Sequence, residues 1–514
     1  MSKAHFLWVD DEIDLLKPYV LFLEEKGYSM VCANNGRDAV ELCRTALFDI
    51  IFLDEQMPGL SGLETLSQLH ASRPEVPVVM ITKSEDEGIM NRAIGKKIAD
   101  YLIKPVNPNQ VLMTIKKILD KKELISAATT VNYRDEFAHL SQETERCRSA
   151  GDWMALYKKL VYWELELGET QNTMKEMLAM QKGEANKAFA KFIRRNYEKW
   201  MTGNSTAPLM SPALFERHLF PMLNKGEKIF FILIDNFRLD QWQAVKDVVS
   251  ELFLCDDNLY FSILPTATPY ARNALFSGLM PRQIAALYPE IWVGEMEDEG
   301  KNMLEEPLIQ HQLDRFGMKQ CFSYQKINTN REGEKLVTRF QELEKRDLNV
   351  WVFNFIDMMS HARTESKMIR ELTGDEDAYR SLTRSWFLHS PLLTLLKMIA
   401  AKGYKAVITT DHGAIRVKNG VKVLGDKETS VNLRYKQGRS LGYDAGRLFD
   451  ILHPANFGLP SPNMSTRYIF ATDNDFFVYP NNYNHHVTRY ENSYQHGGIS
   501  MEEMLVPCIT LTPK

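Results

Sequence analysis

Short apolar runs recur at intervals of about one helix along most of this 514-residue chain, and that alternation limits the possible folds more than any other feature. Within the first 120 residues the runs are HFLWV (5–9), SMVCA (29–33), DIIFLD (49–54), VPVVMIT (76–82) and ADYLIK (99–104). Each is too short for a helix and apolar enough to be covered on both faces. Amphipathic stretches separate them. The pattern predicts a doubly wound α/β unit around a parallel sheet. It stops between 121 and 205, where aromatic and aliphatic residues such as Trp153, Leu156, Tyr157 and Leu160 recur at helical spacing. That stretch predicts an all-α helical bundle, with breaks at Gly151, Gly168 and Gly183. From 206 the alternation returns, so the expected domains are 1–120, 121–205 and 206–514.

Net charge is −5, which argues against a basic nucleic-acid binder and against direct DNA binding. The six cysteines form no C-x-x-C pair and lie far apart, as expected of a reduced, cytoplasmic protein. No apolar run approaches the roughly 18 residues of a membrane helix, so no membrane insertion is expected. The N-terminal residues turn acidic by residue 10 and do not read as a signal peptide.

Acidic residues close several of the predicted strands. Asp10 and Asp11 end the first and Asp54 the third. In a flavodoxin-like strand order these ends converge. Three carboxylates together repel unless a hard cation joins them, and Mg²⁺ suits such a set. Thr82 ends the fourth strand and Lys104 the fifth, where a hydroxyl and an ammonium could meet an anion on Asp54. The ordered motifs VDDE, FLDEQMPG, ITKS and YLIKP resemble the receiver domain of two-component response regulators. The resemblance implies that Asp54 accepts a phosphoryl group from a cognate histidine kinase. It implies that Asp10, Asp11 and the Gln56 backbone carbonyl hold Mg²⁺, that Thr82 and Lys104 contact the phosphoryl oxygens, and that Tyr101 is the switch aromatic.

In the last region KIFFILID (228–235), LNVWVFNFID (348–357), KAVITTD (405–411) and RYIFATD (467–473) all end in Asp. Ligands bind at the carboxyl ends of strands in open α/β sheets. Asp473 reads as structural. The candidate metal ligands are Asp235, Asp357, His361, Asp411, His412 and His496. Mixed carboxylate and imidazole donors suit Zn²⁺ or Mn²⁺, and six suit a pair of ions. A metal pair can clamp both oxygens of a phosphoryl transfer. Thr266 and Thr268, in LPTATPYARNALFSG (264–278), are the candidate nucleophiles. Arg272 and Asn273, a turn further on, are candidates for a substrate phosphate.

The ordered motifs IDN, PTATP, D-x-x-x-H, TDHG and HGG resemble the alkaline phosphatase superfamily, and within it the PglZ branch. The resemblance implies that Asp235, Asp411 and His412 hold one metal and Asp357, His361 and His496 the other. In the nucleotide pyrophosphatase/phosphodiesterase branch the nucleophile lies ten residues before the glycine that ends the motif. Counting back from Gly278 selects Thr268, although Pro269 follows it directly where that branch has one intervening residue.

The whole order of domains resembles the PorX-type response regulators of Bacteroidota, a family linked to type IX protein secretion. The expected fold is a flavodoxin-like receiver, a helical linker and an alkaline phosphatase-like α/β domain. The expected function is a phosphorylation-gated two-zinc phosphodiesterase acting on nucleotide-type diesters, with a phosphorylation-dependent homodimer. The alternative is a catalytically silent adaptor that binds a secretion-motor component or a sigma factor.

Overall fold

The computed structural model describes residues 4–514 except 74–75, 84–97, 170–171, 204–205, 296, 298–299, 366–368, 371–372 and 427–428. The chain divides into two compact units, 1–132 and 133–514. One helix, Pro108–Arg146, runs through the division without a break.

The first unit contains strands β1 (His5–Val9), β2 (Ser29–Ala33), β3 (Ile50–Asp54), β4 (Val78–Thr82) and β5 (Asp100–Ile103). They form one parallel sheet in the order β2-β1-β3-β4-β5. β3 and β4 are buried along their full length, as apolar runs covered on both faces should be. Polar residues set the helix starts. Asn35 caps Gly36–Thr45, and Ser61 and Glu64 form a capping box on Gly62–Ser72.

The second unit begins with the bundle, whose helices include Ala150–Glu166 and Asn172–Met201. Gly168 lies in the turn between these two. Gly183, an expected break, is instead mid-helix. Packing overrides its low helix propensity, because Phe189, Ile193 and Tyr197 of the same helix are buried in the core. The bundle has no core of its own. Trp153, Leu156 and Tyr157 join Phe230, Trp242, Phe261 and Trp351 of the α/β region in one apolar cluster. Trp200 packs edge-on against Phe261 with ring centroids 5.4 Å apart. Each such large side chain contributes about 1.5–3 kcal/mol on burial. The junction is also tied by charge. Lys182 pairs with Glu164 at 2.7 Å and with Glu502 at 3.2 Å, and Asn186 donates to Glu502 at 2.9 Å.

The α/β region is built on β6 (Ile229–Ile234), β7 (Phe253–Phe261), β8 (Phe322–Ile327), β9 (Leu348–Phe353), β10 (Lys405–Thr409) and the strand Leu505–Pro513. β10, β6, β9 and β8 are neighbours in that order and parallel. Leu505–Pro513 lies antiparallel between β7 and β10. Three of the four Asp-terminated runs are therefore adjacent in one sheet. The fourth, RYIFATD, belongs to a separate antiparallel sheet of Tyr435–Gly438, Arg467–Ala471 and Leu448–Ile451. Among the described residues no helix is long and apolar enough to cross a membrane.

Candidate active site

In the first unit the parallel sheet brings Asp10, Asp11 and Asp54 together, with one oxygen from each within 4.8 Å of the others. Asp10 and Asp54 are buried and Asp11 is exposed. Lys104, just beyond β5, pairs with Asp10 at 2.9 Å and with Asp54 at 3.1 Å. One ammonium against three carboxylates leaves a deficit of two positive charges, which fits a divalent cation. Thr82 donates to Glu55, a residue the sequence reading did not single out. Tyr101 is 38% exposed on β5, and Gln56 is exposed two residues beyond the end of β3.

Burial pushes the Asp54 carboxyl up from 3.8 to about 6, against the pull of Lys104 and with the help of Asp10. Its proton is thus held more tightly in the folded chain than in the unfolded one. The resulting stability is full below 3.8 and is lost as pH rises through about 6. In Mg²⁺-free buffer, acidification from about pH 7 to about pH 5 is expected to favour folding of the wild-type receiver relative to an Asp54→Asn chain. Denaturant unfolding of both proteins measures this, and an identical pH response in the two would refute it.

In the second unit the carboxyl ends of β6, β9 and β10 carry the other constellation. Asp235 directly follows β6, and Asp411 and His412 follow β10 by two and three residues. Asp357 is not at a strand end as expected. β9 stops at Phe353, and Asp357 lies on the first turn of the helix Phe355–Glu365, with His361 one turn further. His496 follows the short strand Tyr494–Gln495, which pairs with Ile415–Arg416 just beyond His412.

Two groups result, Asp235 with Asp411 and His412, and Asp357 with His361 and His496. His361 Nε2 and His496 Nε2 lie 3.4 and 3.6 Å from the two oxygens of Asp357. The rings of His412 and His496 stack with centroids 4.2 Å apart, so the groups adjoin.

Two glycines allow this packing. A Cβ on Gly413 would stand 2.1 Å from the Glu502 carbonyl, so close approach, not an unusual backbone angle, excludes a side chain there. Gly497 has φ +119°, a conformation other residues rarely adopt.

The donors suit metal ions. His412 Nδ1 faces the Gly413 carbonyl and His496 Nδ1 the Thr266 carbonyl, both at 3.2 Å. Carbonyls only accept, so each Nδ1 carries the proton and each Nε2 offers a lone pair. Burial lowers both imidazoles, His496 to about 3, and keeps them neutral. Asp235 Oδ1 is buried without a hydrogen-bond partner, an open valence 3.7 Å from His412 Nε2. Burial pushes the Asp235 carboxyl up to about 7 although Arg272 opposes it.

The two threonines separate. Thr268 opens the helix Thr268–Ser277, and its hydroxyl lies 3.0 Å from His412 Nε2. Thr266 is fully buried. Its hydroxyl donates to the Gly498 carbonyl at 2.8 Å and accepts from the Gly497 amide at 3.1 Å.

Arg272 and Asn273, the candidates for a substrate phosphate, both have partners within the protein. Arg272 is drawn into three carboxylates, those of Asp235, Asp411 and Glu305. Asn273 turns back to the Pro269 carbonyl of its own helix at 2.9 Å.

Sequence reasoning also missed Asn236, whose amide lies 3.3 Å from both Asp357 and Ser360. Its φ of +62° is tolerated by Asn, which is the signal the IDN motif offered. Glu305 had no such signal.

Three family models match the chain. The BREX system PglZ alkaline phosphatase-like domain matches residues 214–511, the PorX response regulator linker domain 123–201, and the response regulator receiver domain 6–116. The alginate biosynthesis transcriptional regulatory protein AlgB of Pseudomonas syringae pv. tomato is 33% identical over 123 residues, 24% of this chain and 28% of that protein. The transcriptional regulatory protein ResD of Bacillus subtilis is 29% identical over 154 residues, 29% of this chain and 64% of that protein. The chain therefore spans less than two thirds of either relative. The chemotaxis protein CheY4 of Vibrio cholerae is similar at 27% identity with a TM-score of 0.22, covering 22% of this chain and 98% of that one. With the PglZ match alone spanning more than half of its length, the chain belongs to the PglZ alkaline phosphatase-like family, in the PorX-type arrangement of receiver, linker and PglZ domain.

Proposed function

We propose that this protein is a cytoplasmic response regulator, phosphorylated on Asp54 by a cognate histidine kinase, whose PglZ domain is a two-metal phosphodiesterase. Zn²⁺ fits the output ligands and Mg²⁺ the receiver carboxylates. The substrate class is a nucleotide-type diester, and the process served is type IX protein secretion, as in the PorX family. The observation that carries this reading is the Thr268 hydroxyl, 3.0 Å from His412 at the border of the two ligand groups.

When bound, the ions stabilise the ionised hydroxyl and the charge on the phosphoryl oxygens. Thr268 Oγ1 attacks phosphorus, its proton passes to solvent, and the bond to the leaving oxygen breaks. The leaving group departs as an alkoxide and takes a proton from solvent to become the alcohol. Water then cleaves the phosphothreonine and returns threonine with a phosphomonoester. Thr268 is the first residue of a ten-residue helix, whose free amides favour the anion at that end. Asn236 bridges Asp357 and Ser360 and keeps the second group in register with the first.

The test is hydrolysis of a chromogenic phosphodiester and its monoester counterpart by the Zn²⁺-loaded protein, with and without beryllofluoride on Asp54. Diester cleavage that chelation abolishes is expected, with a rate and a dimer fraction that respond to beryllofluoride. No cleavage with two ions bound would favour the adaptor that binds a secretion-motor component or a sigma factor.

A further inference from the structure

Arg272 stands one helical turn beyond Thr268, on the same helix. Its side chain is 1% exposed. Nε lies 3.0 Å from Asp411 Oδ2, Nη1 lies 3.2 Å from Glu305 Oε1, and Nη2 pairs with Asp235 Oδ2. Both aspartates of one ligand group therefore give the same oxygen, Oδ2, to one guanidinium. Asp235 Oδ1 has no hydrogen-bond partner and stands 3.7 Å from His412 Nε2. Asp411 Oδ1 accepts from the Thr410 hydroxyl at 3.4 Å, and Asp411 meets His412 Nε2 with Oδ2, at 3.8 Å.

Glu305 completes the arrangement. It is as buried as Arg272, and its Oε2 accepts from the Tyr324 hydroxyl and pairs with Lys326 at 3.1 Å. A guanidinium is planar and directs its N–H groups at fixed angles, so it can set the orientation of several carboxylates at once. An ammonium cannot. A cation buried without carboxylate partners would be strongly unfavourable, and here two of its three partners are the candidate ligands themselves.

We propose that Arg272 is a positioning residue for Asp235 and Asp411, holding Oδ2 of each so that Asp235 Oδ1 and the Asp411 carboxylate keep their orientation towards the metal ion, with Glu305 anchoring Arg272 from behind. The inference rests on the metal-dependent reading above and places Arg272 behind the ligands, away from the substrate phosphate. Groups that orient metal ligands typically change metal affinity by roughly 10–100-fold when removed.

The experiment uses the full chain and Zn²⁺ alone, titrated in competition with a chromogenic chelator. Every arm carries Asp357→Asn to silence the other ligand group. Arg272→Met is expected to weaken Zn²⁺ binding by roughly 10–100-fold, with Arg272→Lys recovering only part of the loss. In the otherwise wild-type background, excess Zn²⁺ is expected to restore kcat of the Arg272→Met protein towards wild type with little change in KM for the chromogenic diester. Unchanged Zn²⁺ affinity with a raised KM would overturn the proposal and make Arg272 a substrate contact. Tighter Zn²⁺ binding would overturn it too, because the guanidinium would then be a competitor for the carboxylates.

If Arg272→Met does not fold, Glu305→Gln keeps the guanidinium and removes its anchor. It is expected to weaken Zn²⁺ binding several-fold, and unchanged affinity would refute the proposal. Absence of diesterase activity in the wild type would sink the functional reading while leaving the Zn²⁺ titration decisive.

Discussion

Thr268→Ala is expected to lose diester cleavage by at least roughly 10³-fold while keeping its metal and its fold. The helix Thr268–Ser277 has Ala267 at its cap and no side-chain capping bond, so the hydroxyl does not hold the helix. Its contact is with His412, inside the ligand constellation. Alanine also has the highest helix propensity. On the proposed reading what disappears is the nucleophile, and a lost nucleophile is not replaced by its neighbours. Thr266→Ala provides the contrast. That hydroxyl bridges the backbone of Gly497 and Gly498, and removing it costs about 1–3 kcal/mol of stability by leaving a buried amide unpaired. Rates on the chromogenic diester, paired with metal content by mass spectrometry, distinguish the two. An active Thr268→Ala protein alongside an inactive but folded Thr266→Ala protein would reverse the assignment.

The second large effect is on stability. Arg434 and Glu503 are both 0% exposed and form a two-pronged ion pair. Glu503 Oε1 also accepts from the Gly498 amide and Oε2 from the Ser500 hydroxyl, each at 2.8 Å. The pair fastens the loop that follows His496 to the strand Tyr435–Gly438 and its neighbours. Arg434→Met leaves a buried carboxylate without its cation, and a loss of about 3–5 kcal/mol in the unit 133–514 is expected. Urea unfolding measures it. Adding Glu503→Gln should recover part of the loss, since the two residues act through each other. A loss below about 1 kcal/mol for the single variant would mean that the pair is hydrated and far weaker than its burial implies.

The receiver fold was legible because its information is local. Strands buried on both faces read as unbroken apolar runs, and their terminal acids converge once the strand order is granted. The grouping of the candidate ligands in the second unit was legible for a related reason. D-x-x-x-H is one helical turn, and TDHG ends a buried strand. Asp357 was misplaced from strand end to helix because NFID continues the apolar character of β9 after its ladder stops at Phe353. The partners of Arg272 were not legible, for a different reason. An arginine one turn after a hydroxyl looks the same whether it faces a substrate or the carboxylates behind it, and Glu305, which pairs with it, lies 33 residues further on. Gly183 was misread as a break because propensity is weak beside the packing of a whole helix face. RYIFATD has the composition of its three partners, yet it pairs elsewhere. Strand pairing depends on partners distant in sequence, and an apolar run does not name them.

The strand Leu505–Pro513 fills the gap between β7 and β10 and pairs with both. A nascent chain can therefore finish the receiver hundreds of residues before the PglZ-domain sheet has a continuous middle. Until that strand emerges, β7 and β10 present open edges prone to wrong pairing, and neither the His496 loop nor its Glu503 tether is seated. Assembly of the candidate metal ligands thus waits for residues made after His496 itself. A chain cut short before Leu505 would carry the Asp54 cluster with its candidate output site unassembled.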